Sequence, residues 1–129
     1  MIGKAEENSL EKARELQART KAFALRIIRM FRSLPRTAEA RIIGKQVLRS
    51  GTSVAANYRA VCRARSRAEF AAKLGIVVEE ADETVFWLEL LVASEIVPEE
   101  KVQGLMSEAN ELLAIFAASR QTARKKSGN

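Results

Sequence analysis

Residues 50–91 read SGTSVAANYRAVCRARSRAEFAAKLGIVVEEADETVFWLELL. Apolar side chains recur every three to four positions on both sides of an arginine-rich joint, which is the spacing of amphipathic α-helices. Ser66 and Glu69 match a capping box, in which the hydroxyl accepts from the Glu69 amide and the Glu69 carboxylate bonds back. Phe70 and Leu74 open the buried stripe of the helix that follows. The stretch therefore predicts the end of one helix and most of the next.

The rest of the chain also has the pattern of helices, since only two prolines and six glycines interrupt 129 residues that are 47% hydrophobic. The predicted helices cover residues 9–33, 37–62, 67–94 and 98–120. A disordered basic tail is expected over residues 121–129. Because short connections join long helices, we expect residues 1–120 to form one all-α domain, an antiparallel up-down-up-down four-helix bundle.

The second predicted helix contains Gly44 and Gly51, each of which lowers helix stability by about 1 kcal/mol relative to alanine. Two interpretations follow for the small residues at positions 50–53. They break the helix there, or they let a neighbouring helix approach it closely.

Composition excludes several kinds of catalytic and metal site. The chain has no histidine and one cysteine, so it cannot hold a Ser-His-Asp triad, a histidine acid–base catalyst or a Cys/His metal site. We interpret Cys62 as a small helix residue, buried or half-buried. We expect no enzyme activity, no metal and no cofactor. The charged start, and the lack of any run near ~20 apolar residues, predict a cytoplasmic protein.

Charge is distributed unevenly along the chain. Residues 36–73 carry nine basic and two acidic side chains, whereas residues 74–111 carry one basic and ten acidic. Rows of cations bind phosphate backbones through counterion release, so we predict nucleic-acid contacts from the second helix, the joint and the tail. The candidate residues are Arg41, Lys45, Arg49, Arg59, Arg63, Arg65, Arg67, Arg124, Lys125 and Lys126.

Two other interpretations of these cations stay open. They form a solvated face, or they pair with the acidic faces of the third and fourth helices, within one subunit or between subunits. Aromatic residues make up 5% of the chain, and few accompany the cations, so the pattern does not favour stacking of single-stranded bases. No glycine-rich phosphate loop is present.

A polar network is predicted beside the buried stripe of the third helix. Its expected members are Asn57, Ser66, Lys73, Glu80, Glu83 and Trp87. The last three lie on one side of the helix, at positions i, i+3 and i+7. We expect Asn57 and Lys73 to donate to one of the two carboxylates, and the Trp87 indole to find an acceptor. Such networks set register or assembly more often than they catalyse; a ligand site is the alternative.

Several motifs in residues 50–91 resemble those of the four-helix-bundle proteins encoded within intervening sequences of bacterial 23S rRNA genes. The family pattern is roughly S-x-x-A-N-Y-R-E-A, then A-x-S-x-x-E-F-x-x-K, then K-E-A-x-E-T-x-x-W-L-E-L-L. The chain matches it at residues 55–59, 64–66, 69–73 and 80–91. Ala60 and Glu79 stand where the pattern has glutamate and lysine, so any salt bridge that relatives form there is lost or rewired.

The resemblance implies a four-helix bundle that assembles with copies of itself into a homopentameric ring. The family is also similar to the accessory variability protein of diversity-generating retroelements, a basic pentameric bundle that partners a reverse transcriptase and nucleic acid. We therefore predict a non-enzymatic oligomeric bundle that binds nucleic acid, RNA before DNA, through a basic face. The alternative is an assembly or adaptor protein whose charged faces contact other proteins.

Overall fold

The structure, a computed structural model, describes residues 3–126. Its helices are α1 (Lys4–Arg32), α2 (Ala38–Val61), α3 (Arg67–Ala93) and α4 (Glu99–Lys126). No strand occurs in the described residues, and the predicted all-α fold is confirmed. Over the same residues, none of the helices has a stretch long and apolar enough to cross a membrane.

The helices pack in the order of the chain. α2 packs along α1 on one side and along α3 on the other, and α3 packs along α4. Because each connection is only five residues long, consecutive helices run antiparallel and form an up-down-up-down bundle. The contact between α1 and α4 is the loosest of the four. Closure of the bundle therefore depends on long side chains that reach across this seam.

All four helices contribute to one hydrophobic core. Its largest fully buried side chains are Phe23, Ile27, Val47, Val54, Val61, Leu74, Val77, Leu88, Leu91, Val102, Leu112 and Phe116. Burial of each one stabilises the fold by roughly 1.5–3 kcal/mol. The rings of Tyr58 and Phe116 pack with centroids 5.0 Å apart, which joins the diagonally opposed helices α2 and α4.

α2 is continuous through residues 50–53, so the predicted alternative of a break there is wrong. Its two glycines face α1 instead. A Cβ on Gly44 would lie 2.6 Å from Cδ1 of Leu34, and one on Gly51 would lie 2.8 Å from Cγ1 of Ile27. Both distances are shorter than real Cβ contacts, so a larger residue would require Leu34 or Ile27 to shift. The glycines thus permit the close approach of α1 that the second interpretation predicts.

α1 begins at Lys4, five residues before the predicted start at Ser9. Gly3 occupies the N-cap position without a side-chain hydrogen bond, and two glutamates in the first turn suit the positive end of the helix dipole. Residues 4–8 contain no helix breaker, so the helix continues through them instead of starting at Ser9.

α4 continues to Lys126 instead of ending at residue 120. The predicted disorder of the tail is therefore wrong for residues 121–126, and residues 127–129 lie outside the described part of the chain. Ala123 is buried, and the three cations of the last turn suit the negative end of the helix dipole. One apolar contact in a polar stretch is enough to continue a helix that is already formed.

The joint between α2 and α3 differs from its prediction in two details. Ser66 accepts from the Glu69 amide at 3.0 Å, but the Glu69 carboxylate pairs with Lys73 at 3.7 Å, so only half of the capping box forms. Cys62 is exposed, which corrects its assignment as a buried or half-buried residue. α2 ends at Val61, and Cys62 therefore lies at the surface of the joint.

Candidate nucleic-acid interface

Four arginines gather where α2 ends and α3 begins. Arg59 lies in the last turn of α2, Arg63 and Arg65 in the joint, and Arg67 is the first residue of α3. All four are exposed, and none forms an ion pair with any of residues 3–126. We call these four residues the joint cluster. Their charge is not neutralised locally, so this end of the bundle presents a positive surface.

Two grooves flank Arg59 and Arg63. One, of about 640 Å³, lies between α1 and α2 and also contains Lys21. The other, of about 680 Å³, lies between α2 and α3 and adds Arg65 and Lys73. Alanines of α2 line part of both grooves. The carboxylate in the second groove belongs to Glu69, which is already paired with Lys73. An anionic strand can therefore approach the arginine pair from either side.

The last turns of α4 bring further cations to the same end of the bundle. Arg67 and Lys126 line one groove, which connects the joint cluster with the predicted tail. Arg124 and Lys125 line another, together with Arg120. Because α4 is helical as far as Lys126, these cations hold defined positions at the same end of the bundle as the joint cluster, and Lys126 shares a groove with Arg67.

The structure divides the predicted basic stripe of α2. Arg41, Lys45 and Arg49 are exposed on its first half. Arg49 reaches α3, where it pairs with Glu83 and, at 3.3 Å, with Glu80. Arg41 and Lys45 form no ion pair within residues 3–126. Arg49 thus follows the interpretation of pairing within one subunit. Lys45 lies about 21 Å along the helix from Arg59, so Arg41 and Lys45 are separate from the joint cluster.

Glu83 is the centre of a polar network between α2 and α3. Its carboxylate accepts hydrogen bonds from Arg49 and, at 3.1 Å, from the indole N–H of Trp87. The hydrogen bond from Arg49, and then that from Trp87, lower the pKa of Glu83, and the contact with Glu83 raises the pKa of Arg49. These groups satisfy one another, so the network serves as a link between helices rather than as a ligand site.

Asn57, Lys73 and Ser66 do not join this network, which corrects their predicted roles; Ser66 caps α3 instead. The Asn57 amide donates to a carbonyl one turn earlier in α2, at 2.9 Å, and Lys73 pairs with Glu69. Asn57 lies eight residues, or about 12 Å, along α2 from Arg49. That distance along the helix places the Asn57 amide out of reach of Glu80 and Glu83. The donor to these carboxylates is instead Arg49, which the sequence analysis assigns to nucleic-acid contacts.

A second polar link crosses the loose seam between α1 and α4. The Arg19 guanidinium donates to both carboxylate oxygens of Glu108, at 2.6 and 2.7 Å, and reaches Glu111 at 3.3 Å. The hydrogen bond from Arg19 lowers the pKa of Glu108, although burial opposes the shift. Sequence reasoning missed this link because 89 residues separate Arg19 from Glu108, and only closure of the bundle brings them together.

The carboxylates of the described residues form ion pairs and solvated faces rather than a metal centre. Within residues 3–126, no three Asp, Glu or Cys side chains are grouped so as to hold a metal ion.

Two aromatic side chains of α3 lie at the surface. Phe86 is 53% exposed, and Phe70, which the pattern places in the buried stripe, is 38% exposed. Phe70 lies in the first turn of α3, at the end of the bundle, where fewer neighbours cover a side chain. It lines the same groove as Arg67 and Lys126, so the positive end of the molecule carries an aromatic surface.

The comparisons with known proteins agree with the fold. Residues 12–118 match the model of the 23S rRNA-intervening sequence protein family. The chain is similar to the crystal structure of a protein with unknown function from the S23 ribosomal protein family of Bacteroides thetaiotaomicron, with 34% sequence identity and a TM-score of 0.78. That similarity covers 85% of this chain and 98% of the other. None of the curated proteins matches the chain. Since the family match extends into all four helices, the chain belongs to the 23S rRNA-intervening sequence protein family.

Proposed function

We propose that the protein is a non-enzymatic, oligomeric bundle that binds nucleic acid in the cytoplasm, RNA in preference to DNA. The joint cluster carries the proposal, because its four arginines are exposed, lie between two grooves and have no ion-pair partner among residues 3–126. Arg19 and Arg49, by contrast, pair with carboxylates of a neighbouring helix. The joint cluster therefore presents charge that the fold itself does not use.

Phosphate contacts supply the free energy of such binding through counterion release. Each neutralised phosphate contributes about −0.9 to the slope of log affinity against log salt on duplex DNA, and about −0.7 on a single strand. Four contacts from the joint cluster predict slopes of about −3.6 and −2.8 respectively. Lys21 and Lys126 lie in adjoining grooves and would make the slopes steeper.

One consideration favours RNA over DNA. The name of the structural relative refers to a ribosomal protein family, whereas the name of the 23S rRNA-intervening sequence protein family describes where its genes lie. Proteins recognise RNA helices mainly by shape, through phosphate and 2′-hydroxyl contacts. Arginine suits that task because its planar guanidinium binds phosphate oxygens in a bidentate manner.

A salt titration of binding to labelled duplex RNA, duplex DNA and single-stranded RNA tests the proposal. Two double variants with the same change of charge on the same helix localise the contact. Arg59→Glu with Arg63→Glu should lower affinity at least about 100-fold at low salt. Arg41→Glu with Lys45→Glu, at the other end of α2, should have a clearly smaller effect.

Two outcomes would count against this proposal. If the unaltered protein binds none of the three ligands at about 50 mM salt, where phosphate contacts are strong, nucleic-acid binding is refuted. If both double variants weaken binding equally, the contact is not confined to the joint cluster, and its assignment to that end of α2 is refuted.

Assembly or adaptor activity is a second candidate, favoured by apolar side chains near the Glu83 network. Ile42 is 65% exposed and Phe86 is 53% exposed. α2 and α3 are antiparallel, and Arg49 contacts Glu83. Along the bundle, both apolar residues therefore lie between that ion pair and the end where α2 begins and α3 ends. Exposed aromatic side chains are enriched in protein interfaces. The partner would be a second copy, as in the pentamer that the resemblance implies, or a reverse transcriptase.

Light scattering of the variant Ile42→Ser with Phe86→Ser tests this candidate. A smaller assembly with unchanged helical content would place the interface at these residues, and a monomeric unaltered protein at micromolar concentration would contradict self-assembly. The Arg59→Glu with Arg63→Glu variant should keep the mass of the unaltered protein. If that variant dissociates instead, the joint cluster is an interface between subunits.

A further inference from the structure

Phe70 lies in a groove of about 540 Å³ formed by the start of α1, the start of α3 and the end of α4. The polar residues of its lining are Ser9, Lys12, Arg67, Ser119, Thr122 and Lys126. The volume falls within the range of about 300–1,000 Å³ that is typical of small-molecule sites.

The chemistry of this groove is specific. Among residues 3–126, its lining contains three cations, three hydroxyl groups and one exposed aromatic ring, and no acidic residue. Lys12, Arg67 and Lys126 form no ion pair within residues 3–126. An inorganic anion would leave the ring uncovered, whereas an apolar segment would leave the cations without partners. A ligand that combines phosphate with a planar aromatic group satisfies both requirements.

We propose that this groove binds an unpaired nucleotide of a single-stranded segment, with the base stacked on Phe70 and the flanking phosphates on Lys12, Arg67 and Lys126. The inference rests on the proposed nucleic-acid binding and deepens it. Arg67 belongs both to the joint cluster and to this groove, so a strand held by the joint cluster passes directly into it. The groove thus adds a preference for unpaired bases that phosphate contacts alone do not provide.

The test compares the affinities of four proteins, including the unaltered one, for a single-stranded RNA and for a blunt RNA duplex of the same length, at the same salt. Phe70→Leu removes the stacking face and keeps an apolar side chain. It should weaken single-strand binding by roughly 5- to 100-fold, while duplex affinity stays within about twofold and the salt slope is unchanged, because the ring carries no charge.

The third protein, Ile76→Ala, is the matched control. It removes another exposed apolar side chain from the same helix, about 9 Å away along α3, and should change neither affinity. Phe70→Tyr keeps a stacking face and should bind single strands as the unaltered protein does. As a direct readout, near-ultraviolet irradiation of a strand containing 5-iodouridine should give an adduct on the peptide that contains Phe70.

The outcomes separate the subsite from the broader function. If both RNAs bind and Phe70→Leu changes neither affinity, nucleic-acid binding stands and the subsite is refuted. An equal loss on single strand and duplex would also refute it, since the ring would then act through the fold. If the unaltered protein binds no nucleic acid at low salt, both proposals fail.

Discussion

Arg49 and Arg59 lie ten residues apart on one helix and are both exposed, yet they have opposite surroundings. Arg49 is paired with two glutamates of α3, whereas Arg59 has no ion-pair partner among residues 3–126. The cause is the antiparallel packing of α2 against α3. Apart from Glu69, which pairs with Lys73, the acidic residues of α3 begin at Glu79, so they lie beside the first half of α2. The charges of the neighbouring helix therefore decide which cations of a basic stripe remain available to bind a ligand.

The largest expected effect comes from comparing the same substitution, arginine to glutamate, at these two positions. Arg59→Glu should lower nucleic-acid affinity about 10- to 100-fold at low salt and leave the free energy of unfolding within about 0.5 kcal/mol. Arg49→Glu places a third carboxylate beside Glu80 and Glu83, and should destabilise the fold by about 1 kcal/mol or less, because the site is largely exposed. Binding assays and urea unfolding of both variants check this. Equal losses of affinity would show that pairing does not distinguish the two arginines.

The second prediction concerns the link between α1 and α4. Glu108→Gln removes the charge from a partly buried contact with Arg19 and should lower the free energy of unfolding by about 1–2 kcal/mol. Glu111→Gln is the control, since Glu111 touches Arg19 at 3.3 Å and is 65% exposed; it should cost less than about 0.5 kcal/mol. Urea unfolding at neutral pH distinguishes them, and equal effects would contradict the role of Glu108 in closing the bundle.

The third prediction uses pH to compare paired and unpaired arginines. The folded-state pKa values of Glu83 and Glu108 are lowered, chiefly by hydrogen bonds from Arg49 and Arg19. The native state therefore binds fewer protons, so this stability is present above the unfolded pKa of about 4.3 and is lost as pH falls through the folded pKa values.

Urea unfolding between pH 7 and pH 3 measures that loss. Glu108→Gln should show a shallower decline than the unaltered protein, whereas Arg59→Gln should keep the original profile because residue 59 has no carboxylate partner in the described structure. An unchanged profile for Glu108→Gln would contradict the assignment.

The smallest effect is expected at Lys73, where a basic residue near the joint cluster does have a partner. Its contact with Glu69 is an exposed i,i+4 pair at 3.7 Å, and Lys73→Gln should cost only about 0.3–0.5 kcal/mol. Thermal unfolding followed by circular dichroism measures the change. A loss above about 1 kcal/mol would show that Lys73 has a structural role beyond this pair.

The positions of the helices were largely predictable, because 3–4 spacing of apolar residues and local caps act within a single helix. Thr37 and Ser66 cap α2 and α3 by accepting from the amides of Ala40 and Glu69, at 3.3 and 3.0 Å. The errors lie at the start of α1 and at the C-terminal end of α4, where a few residues extend a formed helix at little cost in free energy.

Side-chain partners were much harder to predict. The acceptor of the Trp87 indole proved to be Glu83, one turn away, which helical spacing alone can suggest. The partners of Arg49 and Arg19 depend on register between helices, and Phe70 follows the apolar period although the bundle end leaves it exposed. Periodicity reports which side of a helix faces inward, and it does not report how far the neighbouring helices extend.

The amino-acid sequence by itself determined an all-α chain, its four helices, the basic and acidic segments and the family resemblance, because these properties depend on local spacing and composition. Only the tertiary structure decided which charges are neutralised. It placed the acidic half of α3 beside Arg49, left the joint cluster without an ion-pair partner among residues 3–126 and brought Phe70 and the cations of α4 to one end. Coulomb interactions between side chains fall with distance in space rather than along the chain, so the packing of the helices decides which cations remain available to a ligand.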